Sequence, residues 1–176
     1  RSDFEKEDRM KKMTDDNLRA AFAGESQAHT RYQIFARKAE KEGRSNLARL
    51  FRAVAHAELV HAKNHFKVLG EVGESAVNLD KAISGEAFEV EEMYPAYDAI
   101  AKLQDEKAAQ RTIKWALETE KQHKELFEMA KSAVDSGADS GSTPIYVCDE
   151  CGYTVEGAPP ERCPLCGKPK EKFIGF

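Results

Sequence analysis

Glu58-Leu59-Val60-His61 and Glu120-Lys121-Gln122-His123 are two copies of one four-residue phrase, Glu-x-x-His. Each sits in a long stretch with helical periodicity, where residues three apart point the same way. Glu58 falls on the stripe Leu47, Phe51, Val54, His61, His65, Leu69, and Glu120 on the stripe Ile113, Ala116, Leu117, His123, Phe127, Ala130. Both phrases therefore aim a carboxylate and an imidazole at apolar neighbours rather than at water. An ionised carboxylate so placed costs several kcal/mol unless a partner compensates it. Two such phrases call for a cation, and a pair of divalent metals answers both at once.

Outward from the phrases, the chain reads as four helices and an appendage. Residues 1–13 are charged and lack periodicity, as in a frayed or partly helical terminus. Thr14 or Asp15 is placed to cap a first helix that runs to about Glu42 and stops at Gly43. Its stripe, Leu18, Phe22, Glu25, Tyr32, Phe35, Ala39, sets one carboxylate among hydrophobes. Ser45 caps a second helix ending near Leu69-Gly70. A polar connection spans 71–85, with a short helical turn at Leu79 to Ile83. The third helix starts near Gly85-Glu86, and Pro95 inside it predicts a kink or an irregular turn. The fourth runs from about Glu106 to Val134. The halves read as a repeat: Glu25 precedes Glu58 by 33 positions and Glu89 precedes Glu120 by 31.

One Glu from each of two helices plus Glu-x-x-His from each of the other two is the ligand set of ferritin-like di-iron carboxylate bundles. Glu25, Glu89, Glu58/His61 and Glu120/His123 supply it. Oxygen-rich ligation with one imidazole per metal suits iron or manganese better than a thiophilic ion. Ordinary charged positions would explain any one Glu, but not four helices each placing one on an inner stripe. Glu92, three residues after Glu89, reads as a fifth carboxylate on the same face, while Glu91 reads as solvated. Tyr32 lies two turns after Glu25 and is either a hydrogen-bond partner of a ligand or a core tyrosine; Tyr94 and Tyr97 are equally ambiguous. His65 reads as a satisfied core histidine, and His29 and His56 as surface or structural residues.

After the linker-like stretch 135–144 comes a different object, residues 145–176, rich in aromatics, Gly and Pro. So few residues need a staple. All four cysteines lie here, as Cys148-x-x-Cys151-Gly and Cys163-x-x-Cys166-Gly. This spacing specifies one tetrahedral metal and leaves structural zinc and redox iron both open. Two disulfides are a remote alternative, and paired thiols fit a reducing cytoplasm. The net charge of -4 and the absence of a basic aromatic patch argue against nucleic acid. No apolar run approaches the roughly 18 residues of a membrane span, and the first residues show no apolar signal region.

Taken together, Ala23-Gly24-Glu25-Ser26-Gln27-Ala28, Glu58-x-x-His61, Glu89-x-x-Glu92-Met93-Tyr94-Pro95, Glu120-x-x-His123 and the C-terminal cysteine pairs closely resemble the rubrerythrin family. The resemblance covers nearly the whole chain. It implies a ferritin-like four-helix bundle over 1–134, a linker over 135–144 and a rubredoxin-like domain over 145–176. It also implies a di-iron site held by Glu25, Glu58, Glu89, Glu92, Glu120, His61 and His123, with His61 exchanging for Glu92 as one iron changes oxidation state. A single iron would sit on Cys148, Cys151, Cys163 and Cys166, with zinc as a possible substitute. The implied activity is a peroxidase, reducing hydrogen peroxide to water with electrons from rubredoxin or a nicotinamide-dependent reductase. The short connection over 71–85 raises exchange of helix pairs between subunits. Since ~21 Å of helix separates His123 from Gly137, a homodimer with head-to-tail electron transfer is expected unless the linker folds back. Two rival readings are a ferroxidase or iron-handling bundle and a non-enzymatic bundle carrying a zinc ribbon.

Overall fold

The computed structural model of the chain describes residues 10–176; of the frayed or partly helical terminus expected over 1–13, residues 1–9 lie outside the described residues, and the first helix begins at Lys12. The described residues form two compact units that divide between Val72 and Gly73.

The first unit is a helical hairpin of α1 (Lys12–Lys41) and α2 (Ser45–Val68). Its buried residues are all alanines: Ala28, Ala36 and Ala39 on α1, and Ala48, Ala55 and Ala62 on α2. The α2 set recurs every seven residues, the repeat of a coiled-coil seam, and small side chains there let the two backbones approach closely. The His29 ring donates from Nδ1 to the Ala55 carbonyl at 2.8 Å across that seam, a structural role. On another face Tyr32, Phe35 and Phe51 form a ring cluster with centroids 5.6–6.2 Å apart. Gly43 closes α1 at φ 74, while the Arg44 N–H reaches the Ala39 carbonyl at 2.8 Å. The helix starts earlier than Thr14 or Asp15 predict. Lys11 is the N-cap and no side chain caps it, so Asp15 serves in the first turn, where a negative charge favours the helix dipole. Ser45 opens α2 without a side-chain cap bond.

The second unit departs from expectation at its start. The segment 71–85 is not a polar connection but mostly helix: α3 runs Ser75–Phe88, passes through a π turn at Glu89–Met93 and continues as α4, Tyr94–Leu103. The signal is the side chain of Asn78, which accepts from the Gly73 N–H and donates to the Gly73 carbonyl, both at 2.8 Å, folding the turn onto the helix start. Pro95 accounts for the π turn. It has no N–H to give the Glu91 carbonyl four residues back. The helix absorbs the defect by widening, and the Tyr94 N–H bonds the Glu89 carbonyl, five residues back. After a turn through Asp105, at φ 55, α5 (Lys107–Asp135) packs against α3 and α4.

Residues 136–144 carry no regular structure and lead to a three-stranded antiparallel sheet, β1 (Ile145–Cys148), β2 (Thr154–Glu156) and β3 (Phe173–Gly175), in the order β2-β1-β3. Val147 pairs with Thr154 on one side and Ile174 on the other. The chain is thus mainly helical and ends in a small strand-containing module with the four cysteines. None of its described helices is long and apolar enough to cross a membrane.

Candidate metal centres

Each Glu-x-x-His phrase builds its site the same way. On α2, His61 places Nδ1 2.9 Å from a Glu58 oxygen and 3.8 Å from Glu25 on α1. On α5, His123 places Nδ1 2.7 Å from a Glu120 oxygen, and Glu86 on α3 completes the group. In both clusters the donor atoms lie within 4.8 Å of one another. Glu58 and Glu120 are equally sheltered, each with 17% of its side chain exposed. The equivalence supports the internal repeat read from the sequence, with one cluster in each unit.

Glu86 was not among the sequence-predicted ligands, yet it meets Glu120 directly. Burial pushes its carboxyl up to about 7, helped by a hydrogen bond with Glu120 and by the charges of Glu120 and Glu89. Glu89 also faces the group: burial and the Glu120 charge raise its pKa, and His123 opposes them. Glu92 stands apart. It is exposed, and no described contact joins it to Glu120 or His123. The expectation that Glu92 shares the face of Glu89 assumes α geometry, whereas Glu89–Met93 is the π turn, whose wider turn changes which residues share a face. The pair sharing a face is one turn earlier, Glu86-x-x-Glu89, and the same spacing rule finds it once applied upstream. Glu91 is solvated as expected and pairs with Lys124 at 3.3 Å.

Tyr94, ambiguous in sequence, lies against the second cluster: burial and the charges of Glu89, Glu120 and Glu86 raise its hydroxyl pKa. Tyr32 packs in the ring cluster with Phe35 and Phe51, and no described hydrogen bond ties it to Glu25 or Glu58.

The four cysteines are unoxidised and converge. Cys148 and Cys166 sulfurs lie 3.7 Å apart, and Cys151 and Cys163 sulfurs 3.5 Å apart. A tetrahedron of sulfurs around a metal at about 2.3 Å has edges of about 3.8 Å, so the thiols are arranged for one ion. The two knuckles repeat one turn. The Gly152 N–H bonds the Cys148 carbonyl and the Gly167 N–H the Cys163 carbonyl, each at 2.9 Å. Both glycines have positive φ, at 83 and 75. Burial raises the Cys151 and Cys166 pKa. For Cys163 burial works the same way but is outweighed by the backbone N–H groups of Cys166 and Leu165, and the net direction is down. With carboxylates and imidazoles in the two helical clusters and four thiols in the module, the donor sets fit di-iron and a single iron respectively.

The linker does fold back. The module lies on α5 beside His123: the His123 Nε2 is 2.9 Å from the Thr154 hydroxyl, and the Gln122 side chain accepts from the Thr154 N–H at 3.3 Å. The linker-length argument for head-to-tail transfer therefore falls away, because a module of the same chain reaches the helix that carries His123.

Comparison with known proteins matches both parts of the chain. The sequence model of the rubrerythrin family matches residues 16–131, and that of the rubrerythrin rubredoxin-like domain matches 146–174. Rubrerythrin-2 of Clostridium acetobutylicum is 43% identical over 178 residues, covering 93% of this chain and 97% of that protein. Nigerythrin of Nitratidesulfovibrio vulgaris is 33% identical, covering 92% and 85%. A structure of fully reduced, all-ferrous nigerythrin superposes with a TM-score of 0.55 at 29% identity, over 98% of this chain and 91% of that one. Matched in order through both its helices and its cysteine module, the chain belongs to the rubrerythrin family.

Proposed function

We propose that this protein is a non-haem peroxidase that reduces hydrogen peroxide to water at a two-iron site, with electrons relayed through the four-cysteine module. The observation that carries the reading is the second cluster: Glu86, Glu120 and His123 converge within 4.8 Å, next to a module built to hold a redox metal. Glu25, Glu58 and His61 would hold one side of the site and Glu86, Glu89, Glu120 and His123 the other. When bound, two ferrous ions supply the two electrons that turn hydrogen peroxide and two protons into two waters. The chain's own groups manage the protons. Tyr94, whose hydroxyl keeps its proton at neutral pH beside Glu89, Glu120 and Glu86, can deliver one of them. Outside electrons would arrive at the module from rubredoxin or a nicotinamide-dependent reductase in a reducing cytoplasm.

The two clusters belong to separate units, and each has only part of the ligand set. We infer that the helices combine as one four-helix bundle in a homodimer, the hairpin α1–α2 of one protomer completing α3–α5 of its partner. Two features support this. The connection between α2 and α3 spans only 69–74. Large apolar residues also stay exposed in both units, among them Ile34, Phe35 and Leu50 in one and Phe88, Ile100 and Leu103 in the other. The test of activity is peroxide consumption by the iron-loaded protein with excess reductant. Glu86→Ala should abolish it, while Cys166→Ser should permit one turnover and stop the cycle; equal steady turnover in all three proteins would refute the proposal.

A further inference from the structure

The Thr154 hydroxyl sits between two partners, and its proton decides the tautomer of one of them. It is 2.9 Å from the Gly152 carbonyl, which can only accept. With the hydroxyl proton on that carbonyl, the other neighbour, His123 Nε2 at 2.9 Å, is the donor, whereas a hydroxyl donating to Nε2 would put the ring proton on Nδ1, toward Glu120. In the first arrangement Nε2 carries the ring proton, and Nδ1 presents a lone pair toward the Glu120 oxygen 2.7 Å away. Two acceptors at that distance repel unless a cation or a shared proton sits with them. Thr154 is buried, at 8% exposure, and its backbone is held by the strand pairing to Val147 and by Gln122. It has little freedom to offer another geometry.

We propose that Thr154, a residue of the cysteine module, is a positioning residue for His123: it fixes the tautomer that leaves Nδ1 free to ligate, so that docking of the module prepares the helical metal cluster. The inference rests on the reading of Glu86, Glu120 and His123 as metal ligands. A partner that orients a ligating imidazole is worth about 10–100-fold in metal affinity. Because Thr154 lies in one module and His123 on α5, the coupling is reciprocal. Metal at the cluster holds the module down, and release of the module weakens the cluster.

The experiment uses the full chain with zinc in the cysteine site, so that every species is diamagnetic. Long-range proton–nitrogen NMR of the His123 ring, before and after zinc is added to the helical cluster, reads the tautomer, and a chromophoric chelator in competition reads the affinity. Wild type should show protonated Nε2 in both states. Thr154→Val, which keeps the branched shape suited to a strand, should mix the tautomers and weaken zinc binding by about tenfold or more, and Thr154→Ser should restore both. Zinc should slow protease cleavage at 136–144 in wild type but not in Thr154→Val. A wild-type ring protonated on Nδ1, or a Thr154→Val protein that binds zinc like wild type, overturns the proposal. Failure of the wild-type cluster to take zinc at all would instead sink the metal reading, while the metal-free tautomer would still judge Thr154.

Discussion

Glu86 and Glu92 are six residues apart in one acidic run, and the fold gives them opposite fates. Glu86 is half-buried against Glu120, and Glu92 is in water. Replacing Glu86 with Ala should lower iron affinity at the helical site at least tenfold, whereas Glu92→Ala should leave it unchanged; metal analysis after dialysis distinguishes them. The raised pKa of Glu86 also sets a pH dependence in the metal-free protein. Its carboxyl ionises near 4.5 when unfolded and near 7 when folded, so the unfolded chain releases the proton first. Stability then falls as pH rises from about 4.5 to about 7. Thermal unfolding of the metal-free protein should show that fall, and Glu86→Gln should flatten it. Most residues of the two clusters were legible because each Glu-x-x-His repeats a spacing that a helix brings to one face. Glu86 was not legible because the sequence places the start of the third helix near Gly85-Glu86, whereas α3 begins at Ser75 and carries Glu86 in its last turn.

At the scale of the element, the hairpin depends on the alanine seam. Ala48 and Ala55 are fully buried, so Ala55→Leu must push α1 and α2 apart at a cost of about 1–3 kcal/mol, measurable by urea unfolding. Asn78→Ala removes both bonds to Gly73 and should cost about 1–2 kcal/mol while fraying the start of α3. The seam was not legible. Periodicity marks the large residues Phe51, Val54 and His61, whereas in the hairpin the most deeply buried positions are the small ones between them, Ala48, Ala55 and Ala62. The π turn was half legible. Pro95 announced a defect, but not whether the helix would bend or widen.

At the scale of the whole molecule, helix exchange predicts complementation. Glu58→Ala disables the cluster on α2 and Glu120→Ala the one on α5. If hairpins are exchanged, unfolding and refolding the two inactive proteins together should recover about a quarter of wild-type activity, since random pairing makes half the dimers mixed, each with one intact site. Without exchange, none should return. The module is held by its metal: stripping it should unfold 145–176 and leave the helical signal of α1 to α5 intact. Its cysteine framework was legible from spacing alone, but its docking beside His123 was not, because a linker's composition gives its reach and not its direction. The central claim, that peroxide is reduced at the helical site by electrons drawn through the module, is tested most directly by rapid mixing. The iron-loaded protein is reduced without air and mixed with hydrogen peroxide or with oxygen while the absorbance of the cysteine-bound iron is followed. Fast reoxidation by peroxide, slow reoxidation by oxygen, and loss of the fast phase in Glu86→Ala are expected. Reoxidation faster with oxygen, or a fast peroxide phase that survives in Glu86→Ala, would contradict that claim.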